Sequence, residues 1–291
     1  MEHLRDADVV YVFNRAQFVP WLRRELPDAR IVLRMGNLHL RPAAGLRAAD
    51  LVDCCSSFVE QELTRAVPGI RATTVTPECV TPPSEAPSRE LREQARRELG
   101  VEGSACLLFV GRLVPEKGVH LLVEAVKLLR STGRLPPVRV LIVGSAAFGT
   151  DTETAYSRGL RRSAHEVSDV VEFVGFVPPT ELSRFYCGAD VFVGPSTWAE
   201  PAGRTFAEAM AHAVPVIASD VGGIPETVAA GGAGVLLPSP PSATDLAEAI
   251  SRLLAAPEEA AALGRAGRDF VRTNLDAAVV ARQVRRVIGT P

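Results

Sequence analysis

Apolar positions in this chain gather into short runs, and most runs are followed by a segment in which they recur every three or four residues. Residues 7–13, ADVVYVF, form a continuous apolar run suited to a strand covered on both faces. Phe18, Trp21, Leu22 and Leu26 then fall on one side of a predicted helix that Pro27 stops. Strands are predicted over 29–35, near 51–55 and over 73–76, with a helix over about 57–67, and GNLHLRPAAG reads as a loop between the second and third strands. Strand and helix alternate, which predicts a parallel sheet. Four strands with two or three helices leave one side of a doubly wound sheet unbuilt. The expectation is that at least one βαβ unit of about 30 residues is lacking from this first sheet.

Residues 77–88, PECVTPPSEAPS, are rich in proline and serine and read as a linker. The charged helix predicted over 89–99 mixes arginine with glutamate and reads as a solvated face, with weak peripheral contact to a membrane surface as the lesser alternative. Beyond it the pattern sharpens. Strands are predicted over 107–111, 138–144, 170–175, 189–195, 214–219 and 234–237, most pairs separated by a helical segment, and helices over 243–255, 257–272 and 277–288 close the chain. The chain therefore divides into an incomplete α/β domain at 1–82, a complete Rossmann-like domain at 83–272 and a final helix at 273–291.

Composition narrows the function classes. The 291 residues are 47% hydrophobic, enough for one large or two ordinary cores, and a net charge of −2 gives no general field for nucleic acid. No apolar run reaches the roughly 18 residues of a membrane span, and MEHLRDAD has no signal-peptide core, so a cytoplasmic location is expected. The five cysteines, Cys54, Cys55, Cys79, Cys106 and Cys187, contain no Cys-x-x-Cys pair and read as packing residues. His120, His165 and His212 are isolated and read as surface or packing residues. Asp6 and Asp8 fit an Asp-x-Asp pattern but precede a strand and read as solvated, so no metal is implied.

Candidate chemistry centres on residues 189–226. Val191 to Val193 form a short strand, Gly194 and Pro195 break it, and Phe206, Ala209, Met210 and Ala213 mark one buried face of the helix that follows. A loop at the carboxyl end of a parallel strand, leading into a helix start, points free backbone N–H groups and a positive dipole end into one crevice. Glu200 lies in that loop and Glu208 in the first helical turn, with Pro201 and Gly203 between them. Thr205 and Glu208 read equally as a capping box. A second loop, Gly111-Arg112-Leu113-Val114-Pro115-Glu116-Lys117-Gly118, follows the first strand of the same domain. It places a guanidinium and an ammonium at the same sheet edge, the pair of groups a diphosphate requires.

The Glu200-Pro-x-Gly-x-x-x-x-Glu208 motif, Gly111-Arg112 with Lys117-Gly118, and the Val171-x-Phe173-x-Gly175 strand together resemble the retaining glycosyltransferases of family four, which have the two-domain GT-B fold. The resemblance covers roughly residues 105–285. It implies an α/β protein of two Rossmann-like domains with parallel sheets, the first incomplete, transferring a sugar from a nucleotide-diphosphate sugar to an acceptor hydroxyl in polysaccharide or glycoconjugate synthesis, without cofactor or metal. By the same resemblance Arg112 and Lys117 meet the diphosphate beside Gly111. Phe176 and Val177 meet the base, Glu208 the ribose, and Glu200 with the N–H groups of Ala202, Gly203 and Arg204 the sugar and phosphate. Arg112, Lys117 and Glu200 are the catalytic candidates. The turn Gly222-Gly223-Ile224-Pro225-Glu226 is also familial, and the final helix is expected to return to the first domain.

Two departures stand beside these expectations. The family commonly has a histidine after the strand at 31–35, where this chain has Gly36, with His39 three residues on. No glycine-rich turn precedes Ala7. A non-catalytic nucleotide-sugar binding subunit is therefore the alternative reading, and another GT-B-like enzyme, such as an epimerase or a phosphorylase, is a third. The acceptor, a glycan or a small molecule, is not legible.

Overall fold

The computed structural model describes residues 6–39, 41–147 and 149–289. They fall into two compact units, Met1–Cys79 with Asn274–Pro291, and Val80–Thr273.

In the smaller unit the chain runs β1 (Val9–Phe13), α1 (Val19–Glu25), β2 (Arg30–Met35), α2 (Ala43–Ala48), β3 (Leu51–Cys54), α3 (Ser57–Ala66) and β4 (Thr73–Val75). The strands pair in parallel in the order β1-β2-β3-β4. Every crossover runs in one direction, and the right-handed rule then puts the intervening helices on one face. Pro20 opens α1, where its missing N–H costs nothing, and the Ser56 hydroxyl accepts from Val59 N to cap α3.

Arg34, at the carboxyl edge of this sheet, is only 5% exposed; its guanidinium lies 3.2 Å from Asp53 and 3.1 Å from Glu78. The Tyr11 hydroxyl donates to Asp53 at 2.5 Å, and burial, then that hydrogen bond and the Asp53 charge, raise the hydroxyl above its ordinary range, so it remains a donor. The sequence pattern showed this strand only as an apolar run.

Two expectations fail here. The predicted loop 36–45 leads into α2, because the small residues there allow close approach: a Cβ on Gly45 would lie 1.9 Å from the Ala16 carbonyl oxygen. Phe18 and Trp21 are 51% and 37% exposed while Val19, Leu22 and Leu26 are buried. The helix starts at Val19, after a 3-10 turn, and that start rotates the buried stripe away from the two aromatic residues.

The larger unit carries α4 (Arg89–Glu98), β5 (Ala105–Val110), α5 (Val119–Ser131), β6 (Val138–Val143), α6 (Ala155–Ser163), β7 (Val171–Gly175), α7 (Leu182–Gly188) and β8 (Val191–Gly194). It continues through α8 (Arg204–Ala211), β9 (Val216–Ser219), α9 (Ile224–Val228), β10 (Gly234–Leu237), α10 (Ala243–Ala255) and α11 (Pro257–Phe270); α12 (Ala277–Ile288) falls in the smaller unit. The six strands are parallel, in the order β10-β9-β8-β5-β6-β7. The chain builds outward from β5 to β7, then returns to the other side of β5 and builds from β8 to β10. The β5/β8 boundary is thus a topological switch point, where the loops leaving two neighbouring strands diverge and open a crevice.

One face of this sheet, with Leu107, Phe109, Val140, Ile142, Val191, Val193 and Ile217, packs against Leu122, Val126 and Leu129 of α5 and Leu246, Ile250 and Leu253 of α10. Each such side chain contributes roughly 1.5–3 kcal/mol by leaving water. That layer makes the strand ends a rigid platform for the loops above them.

Helix α4 has the solvated face its composition suggested, with residues 89–91, 93, 94, 97 and 98 exposed, and its other face grips the sheet. Arg96 donates to Gly188 O at 2.9 Å, to Val101 O at 3.1 Å, to the Ser104 carbonyl and to Asp190 at 2.8 Å, while Arg92 reaches Asp190 at 3.0 Å. Its arginines clamp it to the amino edge of the sheet, and Arg89 pairs with Glu93. Little of its positive charge is left for an anionic surface. Among the described residues no helix is long and apolar enough to cross a membrane.

Candidate functional site

Two loops meet above the switch point, and glycines decide how closely. Gly118 has φ of +67°, and a Cβ there would lie 1.8 Å from the Pro195 carbonyl oxygen, so the loop after β5 and the loop after β8 touch backbone to backbone. Thr197 N donates to Glu116 O at 2.9 Å and the Ser196 hydroxyl to the same carbonyl at 3.2 Å. Across this seam Lys117 Nζ lies 2.8 Å from Glu200 Oε2. Glu200 is 6% exposed; the Ser196 hydroxyl donates to its other oxygen, and Gly223 N donates to its carbonyl at 2.7 Å. Gly222 is required for that last approach, since a Cβ on it would sit 2.3 Å from Glu200 O. A buried carboxylate so fully paired is held in one rotamer.

Beside this pair lies a crevice of about 320 Å³. Gly111 and Arg112 form one wall, Phe176 and Val177 a second, and Arg204, Thr205 and Glu208 a third, over a floor of Val110, Val143 and Gly144. Gly144 lets the floor close: its φ is +130° and a Cβ would lie 2.0 Å from Gly111 O. Arg112 is exposed, and among the described residues no side-chain partner engages it. Gly203 sits at the start of α8 with φ of +74° and no side chain to cap it, so the positive end of that helix faces the crevice through Arg204 and Thr205. The Phe176 N–H is already bonded to Asp151 at 2.6 Å.

The motif residues divide accordingly. Gly111, Arg112, Phe176, Val177, Arg204 and Glu208 line one crevice, whereas Lys117 and Glu200 form an ion pair at its margin, in the loop that carries Ala202 and Gly203. The capping-box reading is corrected: α8 starts at Arg204, so Thr205 is already helical and Glu208 lies beyond the first turn. Glu208 instead takes the Tyr186 hydroxyl at 2.9 Å on one oxygen and Arg204 Nε at 3.0 Å on the other. Ala213, expected on the buried helix face, lies past the helix end with φ of +58°. His39 is exposed.

Burial raises Cys54 and Cys106 to about 12 and Cys55 to about 11, which keeps all three as inert thiols. No grouping of His, Cys, Asp and Glu among the described residues has metal-site geometry. A larger hollow of about 610 Å³ at the amino edge of the same sheet contains Arg92 and Arg96, which share the Asp190 carboxylate.

Sequence reasoning missed Ser196, which shares the Glu200 carboxylate, and Tyr186 and His212, which lie behind Glu208. Spacing held no signal for them, since an aromatic residue before a strand reads as core.

A six-stranded parallel sheet with cationic and acidic loops converging at its switch point defines a nucleotide-binding α/β protein. The sequence pattern of the glycosyl transferases group 1 family matches residues 92–270, and the chain belongs to that family, the retaining, metal-independent family-four glycosyltransferases of GT-B fold. Such enzymes transfer sugar from nucleotide-sugar donors in glycoconjugate and polysaccharide synthesis.

Among relatives, spore coat protein SA of Bacillus subtilis is 32% identical over 281 residues, covering 92% of this chain and 74% of that one. The GDP-mannose-dependent alpha-(1-6)-phosphatidylinositol monomannoside mannosyltransferase of Mycolicibacterium smegmatis is 32% identical over 261 residues, covering 86% and 62%. Of solved structures, sucrose-phosphate synthase from Thermosynechococcus elongatus superposes with TM-score 0.80 at 28% identity over 96% of this chain and 72% of that one. Anabaena Alr3699/HepE, solved with UDP and glucose, gives 0.83 at 23% identity over 100% and 80%, a likeness of fold.

Proposed function

We propose that this chain moves a sugar from a nucleotide-diphosphate sugar to an acceptor hydroxyl, with same-face attack and retention, and that the crevice between Arg112 and Glu208 is its donor site. The observation that carries the reading is the convergence on one 320 Å³ crevice of six residues drawn from two loops and the first turns of α8. Phe176 and Val177 flank the base, Glu208 accepts from the ribose hydroxyls, and Arg112 and Lys117 meet the diphosphate. Glu200, with the N–H groups of Ala202, Gly203 and Arg204, meets the transferred sugar and its phosphate.

The chemistry follows from charge. As the anomeric bond breaks, the departing diphosphate gains negative charge, so two cations and an uncapped helix start stabilise the transition state more than the ground state. Lys117 is held by Glu200 until a diphosphate competes for it. The acceptor is a glycan or small molecule bearing a free hydroxyl.

The test is calorimetric titration with UDP, GDP, ADP and their sugars, repeated on Arg112→Ala and Glu208→Ala, followed by donor turnover. Binding weakens in both variants, and Arg112→Ala slows turnover by roughly 10²-fold or more, the scale of one oriented electrostatic group. An Arg112→Ala variant of undiminished rate would sink the assignment.

A further inference from the structure

Glu208 stands between two hollows of the larger unit. In front is the crevice already described; behind is a hollow of about 460 Å³ bounded by Thr81, Pro82, Ser183, Tyr186 and His212. Tyr186 comes from α7, is 1% exposed, and donates its hydroxyl to Glu208 Oε2 at 2.9 Å. Its ring is fixed from two sides: it stacks on His212 with centroids 5.2 Å apart and meets Phe192 at 6.0 Å. His212 is fixed in turn, with Nδ1 2.8 Å from the Glu208 carbonyl and Nε2 2.9 Å from the Ser183 hydroxyl. A carbonyl only accepts, so Nδ1 carries the hydrogen, and Nε2 accepts from Ser183.

A carboxylate at the end of a glutamate turns freely unless something grips it. Arg204 bonds the other oxygen at 3.0 Å but its side chain is 64% exposed, and such a pair holds geometry weakly. The Tyr186 bond is desolvated, charge-assisted and anchored in packed core, which makes it the stronger constraint. A diol is recognised best when both carboxylate oxygens face it edge-on, each with a lone pair free.

We propose that Tyr186 is a positioning residue: its hydroxyl sets the rotation in which the Glu208 carboxylate accepts two vicinal ribose hydroxyls, and so sets the preference of the site for ribonucleotides over deoxyribonucleotides. The inference rests on the reading of the crevice as the donor site. It differs from a structural role in what it predicts, since a merely satisfied core hydroxyl has no influence on which sugar the nucleotide carries.

The experiment compares UDP, GDP and ADP, each beside its 2′,3′-dideoxy counterpart, by titration calorimetry on the wild-type chain, Tyr186→Phe, Glu208→Ala and the double variant. The wild type prefers the ribonucleotide by roughly 10²-fold or more, as sites built to bond a hydroxyl do. Tyr186→Phe keeps the ring stack and leaves dideoxynucleotide affinity unchanged, which also reports that the crevice is folded, but shrinks the preference about tenfold, the scale of one charge-assisted hydrogen bond. Glu208→Ala abolishes the preference, and adding Tyr186→Phe to it changes nothing further. A Tyr186→Phe variant with the wild-type preference overturns the positioning role alone. Retained preference in Glu208→Ala overturns the ribose assignment and this inference with it, and a wild-type chain that binds none of the three diphosphates overturns the donor-site reading beneath both.

Discussion

A carboxylate 6% exposed is tolerable only because it is paired, and Glu200 is paired three ways, to Lys117, to the Ser196 hydroxyl and, through its backbone, to Gly223. Glu208 shows the same rule with different partners, and His212 extends it to a titrating group. Burial first, with the Arg268 guanidinium adding to it, draws the His212 imidazole below its ordinary 6.5 against the opposing pull of the Glu208 carbonyl. The unfolded chain therefore takes up the proton first as the medium acidifies. The contribution of His212 to stability is whole above pH 6.5 and is lost as pH falls from there through the lower folded value. Urea unfolding between pH 7.5 and 5 should show that decline, and His212→Asn should flatten it while lowering stability at pH 7.5; an unchanged slope would exclude His212 as its source. Arg112, Lys117, Glu200 and Glu208 were legible in the sequence because loop motifs place chemistry at set distances from strand ends. Tyr186 and His212 were not, because a side chain from α7 and one from the end of α8 meet only once both helices pack.

At the scale of elements, the seam between the loops after β5 and β8 depends on a missing side chain. Gly118→Ala drives a Cβ to 1.8 Å from a carbonyl oxygen at a φ of +67°, whereas Gly133→Ala, at φ of +68°, meets nothing within 4 Å. The second substitution carries only the left-handed penalty of about 1–2 kcal/mol. The first should cost at least about 2 kcal/mol more by denaturant unfolding and weaken nucleotide binding as Lys117 and Glu200 separate. Equal losses in the two variants would show that close approach is not what the glycine provides. The predicted bounds of α3, α4, α10, α11 and α12 agree with the structure within two residues, because periodicity, caps and breakers are all local signals. Periodicity failed on α2, six residues with Leu46 as the one large apolar side chain and so no stripe to detect, and on the buried face of α1, which a preceding 3-10 turn rotates. It showed the solvated face of α4 but not the grip of Arg92 and Arg96, since an arginine reads the same whether it meets water or the Asp190 carboxylate.

For the whole molecule the prediction concerns place. Occupancy by a nucleoside diphosphate at 100 times its dissociation constant should stabilise the chain by about 2.7 kcal/mol. Amide exchange should slow at 111–118, 175–177 and 194–205, the segments at the carboxyl edge of the six-stranded sheet, and stay unchanged at 89–104 on the opposite edge. Protection centred on the larger hollow at Arg92 and Arg96 would move the site to the wrong end of the sheet. The expectation is set by strand order alone: the loops diverge only at the β5/β8 boundary, and only there does a parallel sheet open a crevice.

The sequence by itself determined the alternation that makes both sheets parallel, the apolar strands of the larger core, and the loop residues that carry charge. These are local properties, written in periods of two and 3.6 and in the positions of glycine and proline. Only the tertiary structure decided that β8 returns beside β5, that Lys117 reaches Glu200 across 83 positions of chain, and that Tyr186 rather than a helix cap holds Glu208. Those contacts join residues far apart in the chain, and their geometry follows from how whole layers pack, which no local pattern encodes.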